Sequence, residues 1–473
     1  MNLRVADMRR SESLFRHNEV ARMSSVVRVR APIGDSKEWT AAALATAEGV
    51  QQNTNAHLSG VIAEARAVWE KLLFPTPKLE AWKYTNTEAI AQGEFRFGAA
   101  PAGDEEVAEL LKGARISGLA PVCELVFING CFSEALSTQG AAQGLTVSRL
   151  ADGSASSQSE RIGALGLHRE ESFAALATSL LSDCVCISAA RSAVIKAPIH
   201  VIHLSTEGAD GCVITPRILI DAEDASQLVV VESHFGVSGA RYLSLPVAEI
   251  HAASGAIVDY YRIQSESQCA YHVSGVTVQQ GQSSTVRTHI FSFGGALVRN
   301  NANVALGGAG AQAVLNGLSL LSEKQHVDNT TVIHHQQPSA ESREHFKGIY
   351  AGESKGVFSG TITVDKIAQK TNAFQSNQAL LLSSDASIES RPQLKIWADD
   401  VKCTHGATVG QLDSDAMFYL QSRGVGRDDA RAFLVHAFAS EVLSSVQVPA
   451  VKEYVEGVLS TKLEAISGGV LAN

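Results

Sequence analysis

Apolar residues spaced three or four apart mark helices at both ends of this chain, and short strand-like runs fill the middle. From about Asn55 to Leu73, the side chains of Leu58, Ile62, Ala65, Val68 and Leu72 share one helical face. Phe74-Pro75-Thr76-Pro77 ends that helix, since proline lacks an amide donor and restrains its neighbour. Further helices are expected at residues 105–112, with Gly113 as the stop, and at 171–181. Residues 122–128 and 145–150 read as strands between them. The pattern changes near Pro198. Short strand-like pieces follow at 200–204, 228–235, 257–263, 272–278, 286–291, 304–306, 314–321, 330–334, 357–364, 379–382 and 394–397. After Asp413 the helical spacing returns, with Asp413 or Ser414 as a cap, a break at Arg423-Gly424, a helix over 428–443 and a last one from Pro449.

The middle region favours a parallel β-helix. It offers no helices for βαβ crossovers, which excludes an ordinary parallel α/β sheet. Runs such as Val286-Arg287-Thr288-His289-Ile290-Phe291 mix polarity, as expected of strands with one face inward. A sandwich requires hairpins, yet Asn-Gly occurs only at Asn129-Gly130 and Asn316-Gly317. No strict sequence repeat is visible. The apolar C-terminal helices are expected to pack on this scaffold and cap it, because an open strand edge recruits other chains.

Composition narrows the function. Of 473 residues, 45% are hydrophobic and 19% charged, so the chain can bury a substantial core. Aromatics make up 6% and glycines number 38, which suits narrow stacked layers with many turns. A formal charge of -10 disfavours non-specific nucleic-acid binding. No run of 18 apolar residues predicts a transmembrane helix. Cys123, Cys131, Cys184, Cys186, Cys212, Cys269 and Cys403 are odd in number and irregularly spaced, which fits a reducing compartment better than a disulfide framework. The first 30 residues hold seven arginines and three acidic residues. They are read as a loosely held arm, with an organelle-targeting signal as the alternative.

Candidate chemistry concentrates in Asp399-Asp400-Val401-Lys402-Cys403-Thr404-His405-Gly406. On a strand, Cys403 and His405 point to one side, and both side chains bind soft or borderline metals. Two ligands do not complete a site, and a buried thiol beside a hydrogen-bonded imidazole is the ordinary alternative. His334, His335 and His345 form a second group, but adjacent His334 and His335 face opposite sides of a strand. Cys184 and Cys186 are expected to be buried. Asp399 and Asp400 suit a turn or a charged interface, and Gly307-Gly308-Ala309-Gly310 suits a corner. CxxC, HExxH, Walker A and GxSxG motifs are absent, so no ATP hydrolysis by this chain is expected.

Several segments together resemble the SufB/SufD family, and its SufD-type members in particular. They are Pro75-Thr76-Pro77 with Glu80-Ala81-Trp82-Lys83-Tyr84-Thr85; His334-His335 with Ser342 and Lys347-Gly348; Val357-Phe358-Ser359-Gly360; residues 369–377 leading to Leu380-Leu381-Leu382-Ser383; and residues 398–410, followed by Phe418-Tyr419-Leu420 and Ser422-Arg423-Gly424. The resemblance implies an all-β core formed by a right-handed parallel β-helix, with a mixed α/β N-terminal region and an α-helical C-terminal domain. It implies a non-enzymatic scaffold subunit for iron–sulfur cluster assembly. Its partners are a SufB-like subunit bound through the β-helix and a SufC-like ABC ATPase bound through the C-terminal helices. His405 and Cys403 are the implied ligands for a transient cluster or iron shared with the SufB-like partner, His405 being the better candidate. Where the family often has Leu-Glu-Ile, this chain has Leu394-Lys395-Ile396, which reverses one surface charge.

The expected organisation is an N-terminal arm over residues 1–50, a mixed domain over 51–195, the β-helix over 196–412 and a helical partner-binding domain over 413–473. Cytoplasm is the expected location, with a plastid stroma as the alternative. The competing functions are a β-helix polysaccharide lyase or hydrolase, disfavoured by the scarcity of aromatic sugar platforms, and a structural homo-oligomer without metal chemistry.

Overall fold

The computed structural model describes residues 36–51, 56–100, 102–150 and 159–470, so the expected arm lies largely outside the described residues. The chain opens with α1 (Ser36–Val50), α2 (Ala56–Leu72), α3 (Glu88–Ala91), β1 (Arg96–Phe97) and α4 (Asp104–Ala114). Strands β2 (Cys123–Ile128), β3 (Cys131–Gln139) and β4 (Leu145–Arg149) follow, then α5 (Leu167–Glu170), α6 (Ser172–Ser179) and β5 (Val185–Ala189). The strand-rich middle holds β6 (Ile199–Ser205), β7 (Cys212–Ile214), β8 (Arg217–Ala222), β9 (Gln227–Gly236), β10 (Leu243–Ser244), β11 (Val247–Ala252), β12 (Ile257–Ser265), β13 (Tyr271–Gln280) and β14 (Thr285–Ser292). It continues through β15 (Leu297–Leu306), β16 (Gln312–Leu321), β17 (His326–His335), β18 (Glu341–Tyr350), β19 (Lys355–Val364), β20 (Asn372–Leu381), β21 (Ser387–Ile396) and β22 (Lys402–Gly410). The chain closes with α7 (Ser414–Ser422), α8 (Arg427–Leu443) and α9 (Pro449–Val470).

Two sheets face each other. One runs β22-β20-β18-β16-β14-β12-β9-β6-β2-β3, and the spine of the other runs β21-β19-β17-β15-β13-β11-β8-β5-β4. Each coil contributes one long strand to each sheet, and pairing is parallel from β5 and β6 to the C-terminal end. This is the β-solenoid that the sequence pattern predicts. A coil takes about thirty residues, as in the steps from Leu297 to His326 to Lys355. The strand order in each sheet puts two antiparallel pairs, β2–β3 and β4–β5, at the N-terminal end. Asn129-Gly130, with both residues at positive φ, forms the β2–β3 turn, whereas Asn316-Gly317 lies inside β16.

The repeat is written in backbone conformation. Ser192, Ala225, Gly255, Ser283, Gly310, Ser339 and Lys370 occupy the same corner of successive coils, all with φ between 53° and 69°. Each donates its N–H to a corner carbonyl one coil further on: Asp224, Ser254, Gln282, Ala309, Pro338, Gln369 and Asp400, at 2.7–3.1 Å. Only two of the seven are glycines, so identity does not reveal the period. After Pro198, six strands escape the sequence pattern altogether: β7, β8, β10, β11, β18 and β22. Glu341-Ser342-Arg343-Glu344-His345 of β18 is polar throughout because a polar ladder runs inside the solenoid as well as outside.

The interior core extends from Cys123 and Leu125 through Val230, Val258, Val278, Leu315, Ile333 and Ile362 to Ala398. Outside, α2 packs Leu58 and Ile62 on Leu219 of β8. Trp39 of α1, an element not anticipated from the pattern, meets Phe74 and Phe95. The Glu80–Thr85 motif clamps the stack from outside: Trp82 lies 3.8 Å from the Arg299 guanidinium, Thr85 donates to Asp328, and Glu80 pairs with Arg391 of β21.

The C-terminal helices do not cap the end of the stack as expected. α8 and α9 lie along the outer face of the β22–β3 sheet, where Val435, Val442, Val451 and Val455 join Tyr261, Phe291 and Leu318. Lys347 of β18 fixes α8 by donating to the Phe438 carbonyl at 2.9 Å and pairing with Glu441. The last strand of each sheet, β22 and β21, therefore keeps an edge unpaired among the described residues.

The left-handed corners carry a conformational cost of about 1–2 kcal/mol for each non-glycine residue. Exposed Ser339 is such a corner, and Ser339→Gly should raise the free energy of unfolding by roughly 0.5–1 kcal/mol after the extra freedom of the unfolded chain is deducted. A β-carbon at Gly310 meets only the Ser283 hydroxyl at 3.5 Å, so Gly310→Ala should cost about 1–2 kcal/mol through conformation alone. Denaturant midpoints with unchanged slopes would check both signs.

Candidate functional site

The open end of the solenoid carries the residues singled out from the sequence. Among the described residues β22 pairs only with β20, in the register Ala373↔Cys403 and Gln375↔His405. Alternation puts Cys403 and His405 on one face. Cys403 is half-buried against the interior core, and burial raises its thiol pKa, so the thiol form dominates at neutral pH without a metal or base. His405 is exposed, since among the described residues no further coil covers it. Asp400 supplies the last rung of the corner ladder and pairs with Lys370, which is the turn role expected of that aspartate.

The register exposes two residues that motif reading missed. Glu344, Gln375 and His405 stand opposite one another on β18, β20 and β22. Gln375 Nε2 donates to Glu344 Oε2 at 2.7 Å, while Glu344 Oε1 has no hydrogen-bond partner. Burial pushes the Glu344 carboxyl up to about 7, against the pull of Thr331 and then Gln375. A buried ladder of polar side chains thus ends at the exposed imidazole. Only the strand register aligns these three positions, and no spacing rule in the sequence marks Glu344.

The other sequence candidates separate from this end. His334 Nε2 lies 2.9 Å from Asp365 Oδ1 on the outer face, whereas His335 is buried against Ser342 Oγ at 2.9 Å, as opposite strand faces require. Burial lowers the His335 pKa to about 4. Cys184 and Cys186 are buried in the layer beneath α2, as expected. Far from β22 in strand order, two buried groups each bring three donor atoms within 4.8 Å of one another: His203, Glu232 and His234, and His234, Glu266 and His272.

A coiled parallel stack with sparse donors at an open edge and helices on one flank defines a scaffold of the β-solenoid class. The family model for the SUF system FeS cluster assembly SufBD core domain matches residues 203–438. The chain is 30% identical over 388 residues to "Iron-sulfur cluster assembly SufBD family protein slr0076" of Synechocystis, covering 79% of this chain and 84% of that protein. It is 29% identical over 384 residues to "Iron-sulfur cluster assembly protein SufD" of Escherichia coli, covering 80% and 87%. It is 32% identical over 256 residues to "Protein ABCI7, chloroplastic" of Arabidopsis thaliana, covering 53% and 54%. The chain belongs to the SufB/SufD family of iron–sulfur cluster assembly scaffolds.

The Glu344 geometry makes a pH prediction. A carboxyl whose pKa rises from 4.5 to about 7 on folding binds its proton more tightly in the folded state, so its stabilising contribution is complete below pH 4.5 and is lost as pH rises through about 7. Between about pH 4 and pH 8 the wild type should lose about 3 kcal/mol of stability relative to Glu344→Gln. Parallel denaturation at several pH values measures the difference, and identical pH profiles would show that Glu344 is not buried as a neutral acid.

Proposed function

We propose that this chain is a SufD-type subunit that pairs end to end with a SufB-like subunit and offers His405 and Cys403 to a nascent iron–sulfur cluster or iron at their seam. The observation that carries this reading is an incomplete donor pair on the terminal strand of an open stack. An exposed imidazole and one thiol do not hold a cluster alone, and an unpaired strand edge readily accepts a second chain. Exposed Trp397, Val409 and Phe374 add apolar surface at this end. Iron and sulfide are the cargo of such a seam. The partner supplies the remaining ligands.

The C-terminal helices serve a second partner in this reading. Phe418 and Tyr419 on α7 and Phe433 on α8 remain exposed, which suits docking of a SufC-like ABC ATPase. Lys347 ties α8 to β18, so movement imposed on α8 reaches the sheet that ends in β22. ATP binds the ATPase partner and not this chain. Residues 413–473 then act as the partner-binding unit and residues 196–412 as the assembly core. Cytoplasm is the proposed location, with a plastid stroma as the alternative.

Co-expression with SufB-like and SufC-like subunits should give a stable mixed complex that incorporates iron and sulfide. His405→Ala should lower that incorporation several-fold while leaving the complex intact on gel filtration. Unchanged iron and sulfide in the intact variant complex would remove His405 from the site. Trp397→Glu should weaken the SufB-like contact and spare the SufC-like one. Loss of the SufC-like contact alone would misplace both surfaces.

A further inference from the structure

The buried imidazoles at the N-terminal end of the solenoid have no role in the seam chemistry. β9 lies six strand spacings of ~4.8 Å from β22, about 30 Å away along the stack. His203 on β6 pairs in register with His234 on β9, and their rings stack with centroids 4.6 Å apart. Glu232 follows Val230 on the interior face of β9, two residues before His234. Phe127 of β2 covers His203 from the N-terminal side, with ring centroids 5.2 Å apart.

The two oxygens of Glu232 meet different surroundings. Oε2 is fully engaged, accepting from Arg262 Nε at 2.9 Å and from the Tyr260 hydroxyl. Oε1 faces His234 Nε2 at 3.2 Å and His203 Nε2 at 3.4 Å, and none of these three atoms has a partner of hydrogen-bond geometry. All three side chains are more than nine-tenths buried. Three orphaned lone-pair groups converging inside a core are costly unless something joins them. Burial opposes ionisation of Glu232, but Arg262 and His234 hold its carboxyl well below the ordinary range. A neutral imidazole in this position carries one ring lone pair that can bind a metal.

We propose that His203 Nε2, Glu232 Oε1 and His234 Nε2 form a site for one divalent transition-metal ion inside the solenoid, separate from the seam at β22. Two imidazoles and one carboxylate suit ferrous, zinc or cobalt ions and leave coordination positions open. Arg262 and Tyr260 act on the oxygen that is not a ligand, fixing the carboxylate as outer groups do at established metal sites. The Glu266–His272 pair, joined at 2.6 Å beside His234, adds a second carboxylate against the single Arg262 guanidinium. The ion staples β6 to β9, where the corner ladder begins.

The test uses the full-length chain carrying Cys403→Ser and His405→Ala, so that any metal detected does not come from the seam. The protein is produced in medium supplemented with iron, zinc or cobalt alone, passed over a chelating column and assayed for metal. One equivalent of ion should remain bound, its X-ray absorption should show imidazole scatterers, and its loading should raise the thermal midpoint. Adding Glu232→Gln or His234→Asn should abolish retention in protein that keeps its circular dichroism. Absence of stoichiometric metal in the chain lacking seam donors overturns the proposal, as does equal retention by the folded variants. If those variants misfold, absorption without imidazole scattering in the parent chain overturns it equally. Failure here leaves the seam reading intact, because the seam donors are missing from every sample.

Discussion

The hydrogen bond from each left-handed corner residue to the corner carbonyl of the next coil sets the geometry of the whole molecule. A parallel stack can slip, and a slip of one residue exchanges the inside and outside of a strand. The corner bonds from Ser192 to Lys370 fix where each coil begins. Once the corner is fixed, alternation decides which side chains face the core. The same constraint lines up Glu344, Gln375 and His405 and brings His203 beside His234.

This regularity makes the two ends of the stack different. At the N-terminal end, the antiparallel β2–β3 and β4–β5 pairs terminate the parallel sheets, and Phe127 and Phe132 fill the interior. At the C-terminal end the ladder stops at Asp400, β21 and β22 each keep one edge unpaired among the described residues, and α8 and α9 are committed to a lateral face. The two ends therefore differ in pairing, antiparallel at β3 and β4 and parallel at β21 and β22. In the proposed reading a partner completes the sparse donors on the open end, and the rigid interior holds them in position.

The sequence disclosed the architecture where side-chain pattern carries it. The helix stripe of Leu58 and Ile62, the Asp413 cap and the stop at Arg423-Gly424 all appear in the structure because capping and amphipathicity are local. The strand assignment failed where interior positions are polar, as in β18, and where the unit is defined by φ. Ser339 and Lys370 look like ordinary loop residues until the coil is built. The capping role expected of the final helices failed because an apolar stripe reveals that a face is covered but not which surface covers it. Cys403 and His405 were legible from spacing two on a strand. Glu344 and Glu232 were not, since their significance depends on register and on which carboxylate oxygen is left without a donor.

The central claim is that the exposed edge of β22 is completed by another chain. Amide hydrogen exchange over residues 402–410, measured for the chain alone and after addition of a SufB-like subunit, tests it most directly. The account predicts that amides along β22 that exchange quickly in the isolated chain become strongly protected in the pair, with little change in the already buried strands β12 and β14. Unchanged exchange along β22 in a stably associated pair would contradict it.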